Sequence, residues 1–595
     1  MYRDRMRFRH LIPSLAVAAA GLALAPAGAL AAAPLPFGHA CEPKDGALLC
    51  PAASDAQRVP SFDGVPLDVD VWLPATGDGP FPTIAMIHGW GGNKTNFANN
   101  ADGYSAQYYA RRGYAVVLST ARGFGRSCGA IDSRTSPGCD KGWIHLGDAR
   151  YEVRDQQTLL AALVDQGVAK ADALGATGIS YGGGTSLQLA YLKDRVRNAG
   201  GSYGPWTSAK GTKLSLAAAW PRWPWSDLAD ALVPNGRSWL SGGDLYRYSS
   251  PAGVNLMSYQ DGLYALGAAN FLAPKGVDPG SDLQTWKARI DQGEPYDAKA
   301  RAYLKELHDH HGAGGIRLTS TPAPLLIQNG WTDDLFPAWQ GARAYQQVRK
   351  AFPYAFVNLQ LGDLGHARGA NHAADDRRFA ADGLELFERF LAGRGDAYGG
   401  RSVTAYGQSC PRTATKGLGP WTASTVAGLA RGTLTINAAP RKSITTKGID
   451  KKLGAKVNPL FLDPCVSLPA GSDAAGGVVV LSKRSPGITL LGSTALALRH
   501  SRAGGAAQIV ARIWDVDPRT NTMRLVDRSV TRPIAGATRE TLRLNGNAWR
   551  FAKGHRIRIE LTAGDPPTFR QSNGSFSLRI LTARATLPTR EKGTR

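Results

Sequence analysis

Beyond residue 33 the sequence has no uninterrupted apolar run near 18 residues, so the mature chain lacks the mark of a membrane-spanning helix and reads as soluble. It also lacks a CxxC pair and an HExxH segment, which removes the usual basis for a structural or catalytic zinc; no metal and no cofactor are expected. Cysteine is scarce, six in 595 residues, and acid is short, with 47 Asp and Glu against 70 Lys and Arg. Aromatic residues do not interleave with the basic ones as a base-stacking surface requires, which argues against a nucleic-acid partner. What remains is a chain of globular composition, 43% hydrophobic and 20% charged, long enough for two or three domains.

Four arginines (Arg3, Arg5, Arg7, Arg9) precede an Ala/Leu-rich run from Leu11 to Leu24, then Pro26 and the small residues Ala29 to Ala33. This three-part pattern predicts a secretory signal over residues 1–33, cut after Ala31 or Ala33. An uncleaved anchor is the alternative, because the apolar stretch nearly reaches spanning length. The mature protein is therefore expected outside the cytoplasm, secreted or in the periplasm or cell envelope. An even number of cysteines in an exported chain favours disulfides, and sequence proximity pairs Cys41 with Cys50, Cys128 with Cys139 and Cys410 with Cys465.

From about residue 66 to 395, strand-like runs such as PTIAMIHGW (82–90), DALGATGIS (172–180) and PLLIQNGW (324–331) alternate with amphipathic segments at 153–164, 184–196 and 382–391. The alternation predicts an α/β domain with a mostly parallel sheet over residues 34–400. The rhythm breaks between about 221 and 317, where an insertion capping the sheet is expected. After residue 400 short β-type runs separated by Gly, Pro, Asn and Asp predict an all-β sandwich of jelly-roll type over 401–595. That last stretch carries 31 basic and 10 acidic residues, so almost all of the net charge of +23 sits there. Two readings stay open: a solvated surface, or a grip on an anionic cell-envelope polymer.

The pattern GxSxG occurs around Ser127, Ser180 and Ser202, and context must choose among them. Only Ser180 follows a buried strand pattern and precedes a helical one, the strand–turn–helix setting that exposes a nucleophilic hydroxyl. A serine hydroxyl needs a histidine base, and that base needs an acid to hold its tautomer. In the chain order Ser, acid, His, the strand ending in Asp333 and Asp334 supplies the acid, and the next, ending LGDLGH, supplies His366. Asp333 is preferred, with Asp334 and Asp363 as alternative acids and His372 as the alternative base. Tyr181 and Trp90, the latter in the loop His88-Gly89-Trp90-Gly91-Gly92, are the expected oxyanion N–H donors. The HDHH run holding His308, His310 and His311 is read as a solvated loop.

These motifs, GISYGG at Ser180, GWTD ending at Asp333 and GH at His366, resemble those of the X-prolyl dipeptidyl aminopeptidases and cocaine esterase-type (CocE/NonD) acyl hydrolases. The likeness extends to LLGSTALALRHSRAGGAAQIVARIWDVDP and GHRIRIEL, similar to that family's jelly-roll domain. The resemblance implies an α/β-hydrolase fold with a helical cap, followed by a jelly-roll sandwich. It also implies a serine hydrolase of the Xaa-Pro dipeptidyl-peptidase kind; an acyl esterase or amidase is the alternative, and a catalytically inert surface-binding protein a third reading. The substrate would be a small peptide or acyl ester. Trp220, Trp223, Trp225 and Trp331 are expected to wall its pocket.

Overall fold

Runs of Val, Ile, Leu and Ala that are apolar on both faces suit strands covered by helices on either side, and the chain builds its central sheet from such runs. In the computed structural model the described residues are 35–99, 103–236, 252–395, 402–461, 463–471 and 477–592. Residues 1–33, where a signal is expected, thus lie outside the described residues. The strands of the central sheet are β1 (Glu42–Lys44), β2 (Ala47–Pro51), β3 (Val69–Pro74), β4 (Phe81–Ile87), β5 (Ala115–Ser119), β6 (Ala169–Ile179), β7 (Leu216–Arg222), β8 (Leu325–Gly330), β9 (Val357–Gly362), β10 (Val403–Gly407) and β11 (Leu418–Ala423). They lie in the order β1-β2-β3-β5-β4-β6-β7-β8-β9-β10-β11. All pairings from β5 to β10 are parallel, and the outer ones are antiparallel. The sheet therefore runs past residue 400.

Alternation along each strand divides the core. Ile84, Met86, Val116, Leu118 and Trp220 face α1 (Ala106–Ala110) and α9 (Ala373–Phe390). Ala85, Ile87, Val117, Leu174 and Ile327 face α2 (Glu152–Asp165), α3 (Tyr181–Leu192) and α8 (Ala338–Ala351). The insertion after β7 folds as helices α4 (Leu228–Leu232), α5 (Met257–Ala268), α6 (Leu283–Asp291) and α7 (Ala298–His310), with Asp227, Asp282 and Asp297 accepting N–H groups at three of their N-termini. Apolar residues of α4 to α7 converge with Tyr181, Trp225 and Phe336 over the sheet edge, and Val510, Val530 and Phe569 of the C-terminal region complete that cluster.

The C-terminal region is a two-sheet sandwich. One sheet places β20 (Arg539–Arg543), β17 (Ala495–His500), β23 (Ser577–Thr589), β16 (Ile488–Gly492) and β21 (Asn547–Phe551) side by side, with β12 (Gly432–Ala438) and β13 (Lys442–Thr445) also on β23. The other runs β14 (Leu468–Pro469), β19 (Thr522–Thr531), β18 (Ile509–Asp517), β22 (Arg556–Thr562) and β15 (Val479–Arg484), all pairs antiparallel. Disulfides join Cys41 to Cys50, Cys128 to Cys139 and Cys410 to Cys465, which fits an oxidising extracytoplasmic setting. Among the described residues no helix is long and apolar enough to cross a membrane.

Candidate active site

Strand β6 ends at Ile179, and the chain reverses at Ser180 with φ 58° and ψ −109° before α3 begins at Tyr181. Such a conformation costs a non-glycine residue on the order of 1–3 kcal/mol. It is held by the Ser180 N–H donating to Arg222 O and the Gly184 N–H donating to Ser180 O, both at 2.9 Å. The turn is tight enough that a Cβ on Gly182 would stand 2.0 Å from Ile87 O. Ser180 is thereby lifted above the C-terminal edge of the sheet.

The Ser180 hydroxyl lies 2.7 Å from His366 Nε2, and His366 Nδ1 lies 2.7 Å from Asp333 Oδ2. Asp333 follows β8 and its side chain is fully buried. Its Oδ1 accepts the N–H groups of Leu335 and Phe336, each at 2.9 Å. The carboxylate is thus satisfied on both oxygens and fixed in direction. His366, after β9, stacks edge-on against Phe336 at 5.1 Å.

The alternative residues have other employment. Asp334 pairs with Arg368 at 2.7 Å and lies 3.7 Å from Arg528 of β19. Asp363 accepts from Thr332 Oγ1 at 2.6 Å and faces His372 Nε2 at 3.2 Å, and this contact raises the His372 pKa. The Ser127 hydroxyl is buried, donating to Thr120 O, while Ser202 lies in the loop between the short paired strands Arg195–Arg197 and Tyr203–Pro205.

Beside Ser180 runs the loop after β4, close enough that a Cβ on Gly89 would stand 3.9 Å from the Ser180 Cβ. His88 anchors it, a role that no motif in the sequence announces. Burial drives its pKa down to about 4, so the ring is neutral: Nδ1–H donates to Gly89 O at 2.6 Å and Nε2 accepts the Ala121 N–H at 2.9 Å. The Trp90 ring packs edge-on against Phe124 and Tyr181 at 5.0 and 5.3 Å and donates from Nε1 to Leu263 O. The Tyr181 hydroxyl donates to Glu152 Oε1 at 2.9 Å and accepts the Gly147 N–H at 2.8 Å. Burial raises the Glu152 pKa to about 7.

Ser180 opens on an apolar cavity of about 120 Å³ beneath the cap, walled by Trp90, Tyr181, Trp225, Leu263, Trp286 and Phe336 among others. No carboxylate lines it among the described residues, and the charged side chain that does is Lys287, which is bound by Asp261 and Asp291. Of the four tryptophans expected in the wall, Trp225 is there, and Trp223 sits 5.9 Å from the His366 ring without lining the cavity. The other two correct the expectation. Trp220 points from mid-strand into the sheet face and packs on Tyr104 at 5.1 Å, and Trp331 is buried away from the cavity with its Nε1 donating to Tyr406 O.

The HDHH run is not a solvated loop. It closes α7, where His308 is bound to Asp227 at 2.7 Å and His311 is fully buried. Asp148, Glu306 and His311 cluster there as metal-ligand types, but the Arg150 guanidinium binds both carboxylates and takes the place of a cation.

Residues 63–199 match the model of the X-Pro dipeptidyl-peptidase (S15) family. That stretch of the S15 match holds β3 to β6, the elbow and α3. No curated protein matches the sequence. Among solved structures, a CocE/NonD family hydrolase from Staphylococcus aureus is 13% identical with a TM-score of 0.56, covering 91% of this chain and 94% of that one. An α-amino acid ester hydrolase is 15% identical at 0.53, covering 95% and 100%. An aminopeptidase from a marine sediment archaeon, Thaumarchaeota archaeon, is 14% identical at 0.51, covering 89% and 95%. At these identities the structures establish a shared fold, an α/β hydrolase followed by an all-β region. Together with the S15 match they bear out the resemblance that the motifs carried, and with it a hydrolase.

Proposed function

We propose that the chain is an exported serine hydrolase in which Ser180 attacks an acyl carbon, His366 takes the hydroxyl proton and Asp333 orients the imidazolium that forms. The Oγ–C bond forms as the carbonyl becomes an oxyanion, received by the N–H groups of Trp90 and Tyr181. His366 then returns the proton to the departing alcohol or amine, and water releases the acyl group by the same relay. The observation that carries this reading is the unbroken chain of 2.7 Å contacts from Ser180 through His366 to a buried Asp333, opening on a cavity.

The cavity also bears on the substrate. A dipeptidyl enzyme must hold a protonated amine, and a cation there would meet apolar walls that no carboxylate lines among the described residues, beside a Lys287 already engaged by Asp261 and Asp291. Desolvating an unpaired ammonium is costly, so the reading we favour is an esterase or amidase that accepts an uncharged apolar acyl group. The S15 match over 63–199 supports the second reading, an Xaa-Pro dipeptidyl-peptidase. A panel of phenyl butyrate, an Ala-Pro anilide and its N-acetyl form separates them. Turnover of the ester, and of the anilide only when acetylated or not at all, supports the first; turnover of the anilide that is lost on acetylation supports the second. Ser180→Ala abolishes every activity in the panel; retained turnover would remove Ser180 from the mechanism. Export is checked by sequencing the N-terminus of the mature protein, expected at Ala32 or Pro34.

A further inference from the structure

The sandwich carries a second site-like surface, far in sequence from the hydrolase residues. Strands β12, β23, β17 and β20 adjoin in that order, and their register sets Asn437, Arg584, Ala497 and Thr541 in one row. A neighbouring row holds Thr582, Arg499 and Arg539. These side chains share the exposed face, while the alternate residues Leu498, Leu542 and Ala583 enter the sandwich core. The small residues Ala438, Ala439 and Ala497 leave an open groove of about 660 Å³ between the longer side chains.

Arg499, Arg539 and Arg584 have no carboxylate partner among the described residues, and the acid along the groove, Glu540, is buried. Arg499 stands directly opposite Arg539 across the ladder, an arrangement of like charges that destabilises a sheet. Protection of a sheet edge explains basic residues on an outer strand. It explains Arg539 on β20, but not Arg499 and Arg584, which lie on the interior strands β17 and β23. An anion lying between them would relieve the repulsion, and guanidinium forks bind carboxylates with two parallel hydrogen bonds. Among the described residues no aromatic ring lines the groove, so stacking on a neutral sugar or a base is not the mode of recognition it offers. Thr541, Thr582 and Asn437 offer donors and acceptors for hydroxyl groups.

We infer that this groove binds a linear acidic polysaccharide, carboxylates on Arg499, Arg539 and Arg584 and hydroxyls on the flanking Thr and Asn side chains. The net charge of +21 on residues 401–595 draws such a polymer toward the module at low salt. The inference stands independently of the hydrolase reading.

The test is affinity electrophoresis of the full-length protein in gels containing polygalacturonate, dextran or inorganic polyphosphate. Polygalacturonate retards the wild type, with retardation fading steeply as salt rises; dextran does not, and polyphosphate does so less. The triple variant Arg499→Gln, Arg539→Gln, Arg584→Gln weakens polygalacturonate binding by about tenfold or more, as loss of charge-assisted hydrogen bonds requires. The control Lys451→Gln, Lys452→Gln, Lys456→Gln removes equal charge from an exposed helix elsewhere and leaves binding near wild type. The single variant Arg584→Gln, with unchanged thermal melting, covers the case in which the triple variant does not fold. Wild-type binding by the groove variants, equal loss in the lysine control, or equal retardation by dextran or polyphosphate would each overturn the inference.

Discussion

Asp333 and Asp334 are adjacent in sequence and almost identical in chemistry, yet the chain gives them separate tasks. Asp333 receives two backbone N–H groups and the His366 imidazole, and Asp334 turns toward Arg368 and Arg528. Strand-end position in the sequence ranks the first above the second, but only the fold shows that two arginines, one of them nearly two hundred residues later, claim the second. Asp333→Asn keeps the shape and loses the charge that holds the tautomer, so kcat is expected to fall by about 10⁴-fold with the melting temperature little changed. Glu152 is a residue with no motif to announce it. Its folded pKa of about 7 exceeds the ordinary 4.5 because it is buried. The folded state therefore holds an extra proton between those values; the stabilisation is complete below pH 4.5 and is lost as pH rises through 7. Glu152→Gln should gain stability relative to wild type across that window by up to about 1.4 kcal/mol per pH unit, measured by urea melts at a series of pH values. His88 acts in the opposite sense: its stabilising neutral form is complete above pH 6.5 and fails as pH falls through about 4.

At the scale of elements, the strands of the sheet were legible because both-face apolar runs have few other uses, and the predicted run 172–180 is found as Ala169–Ile179 followed by the turn at Ser180. Helix α8 is amphipathic, but its buried face carries Gln340, Gly341 and Arg343, which meet Ser226, Asn329 and Asp230, so an apolar pattern alone does not mark that face. The cavity wall was only partly legible. Strand alternation, which decides that Trp220 faces the sheet interior, gives no sign of which cap helix side chains meet above Ser180. The elbow makes a sharper prediction. Gly182→Ala forces a methyl group into the Ile87 carbonyl, and we expect a loss of about 3 kcal/mol or more in stability together with a large fall in kcat. A variant melting within a degree of wild type would show that the turn is looser than described.

Taken whole, the molecule ties its hydrolase and sandwich regions together through buried charge. Arg528 of β19 reaches Asp334, Asp565 and the Val457 carbonyl, and Arg532 pairs with Glu294 of the cap at 3.0 Å. Composition located the basic residues in the C-terminal module but could not separate these buried arginines from those left open on the groove. Removing one partner of a buried pair leaves a charge uncompensated, so Arg528→Met should cost about 3–5 kcal/mol by denaturant melts. Because Asp334 adjoins Asp333, the same variant should also lower kcat. Every step of the proposed hydrolysis begins at Ser180 as the activated nucleophile. Peptide mass spectrometry after reaction with a fluorophosphonate tests that most directly: one adduct is expected, on the peptide holding Ser180, and none in Ser180→Ala. An adduct on another serine, or undiminished labelling of the alanine variant, would contradict it.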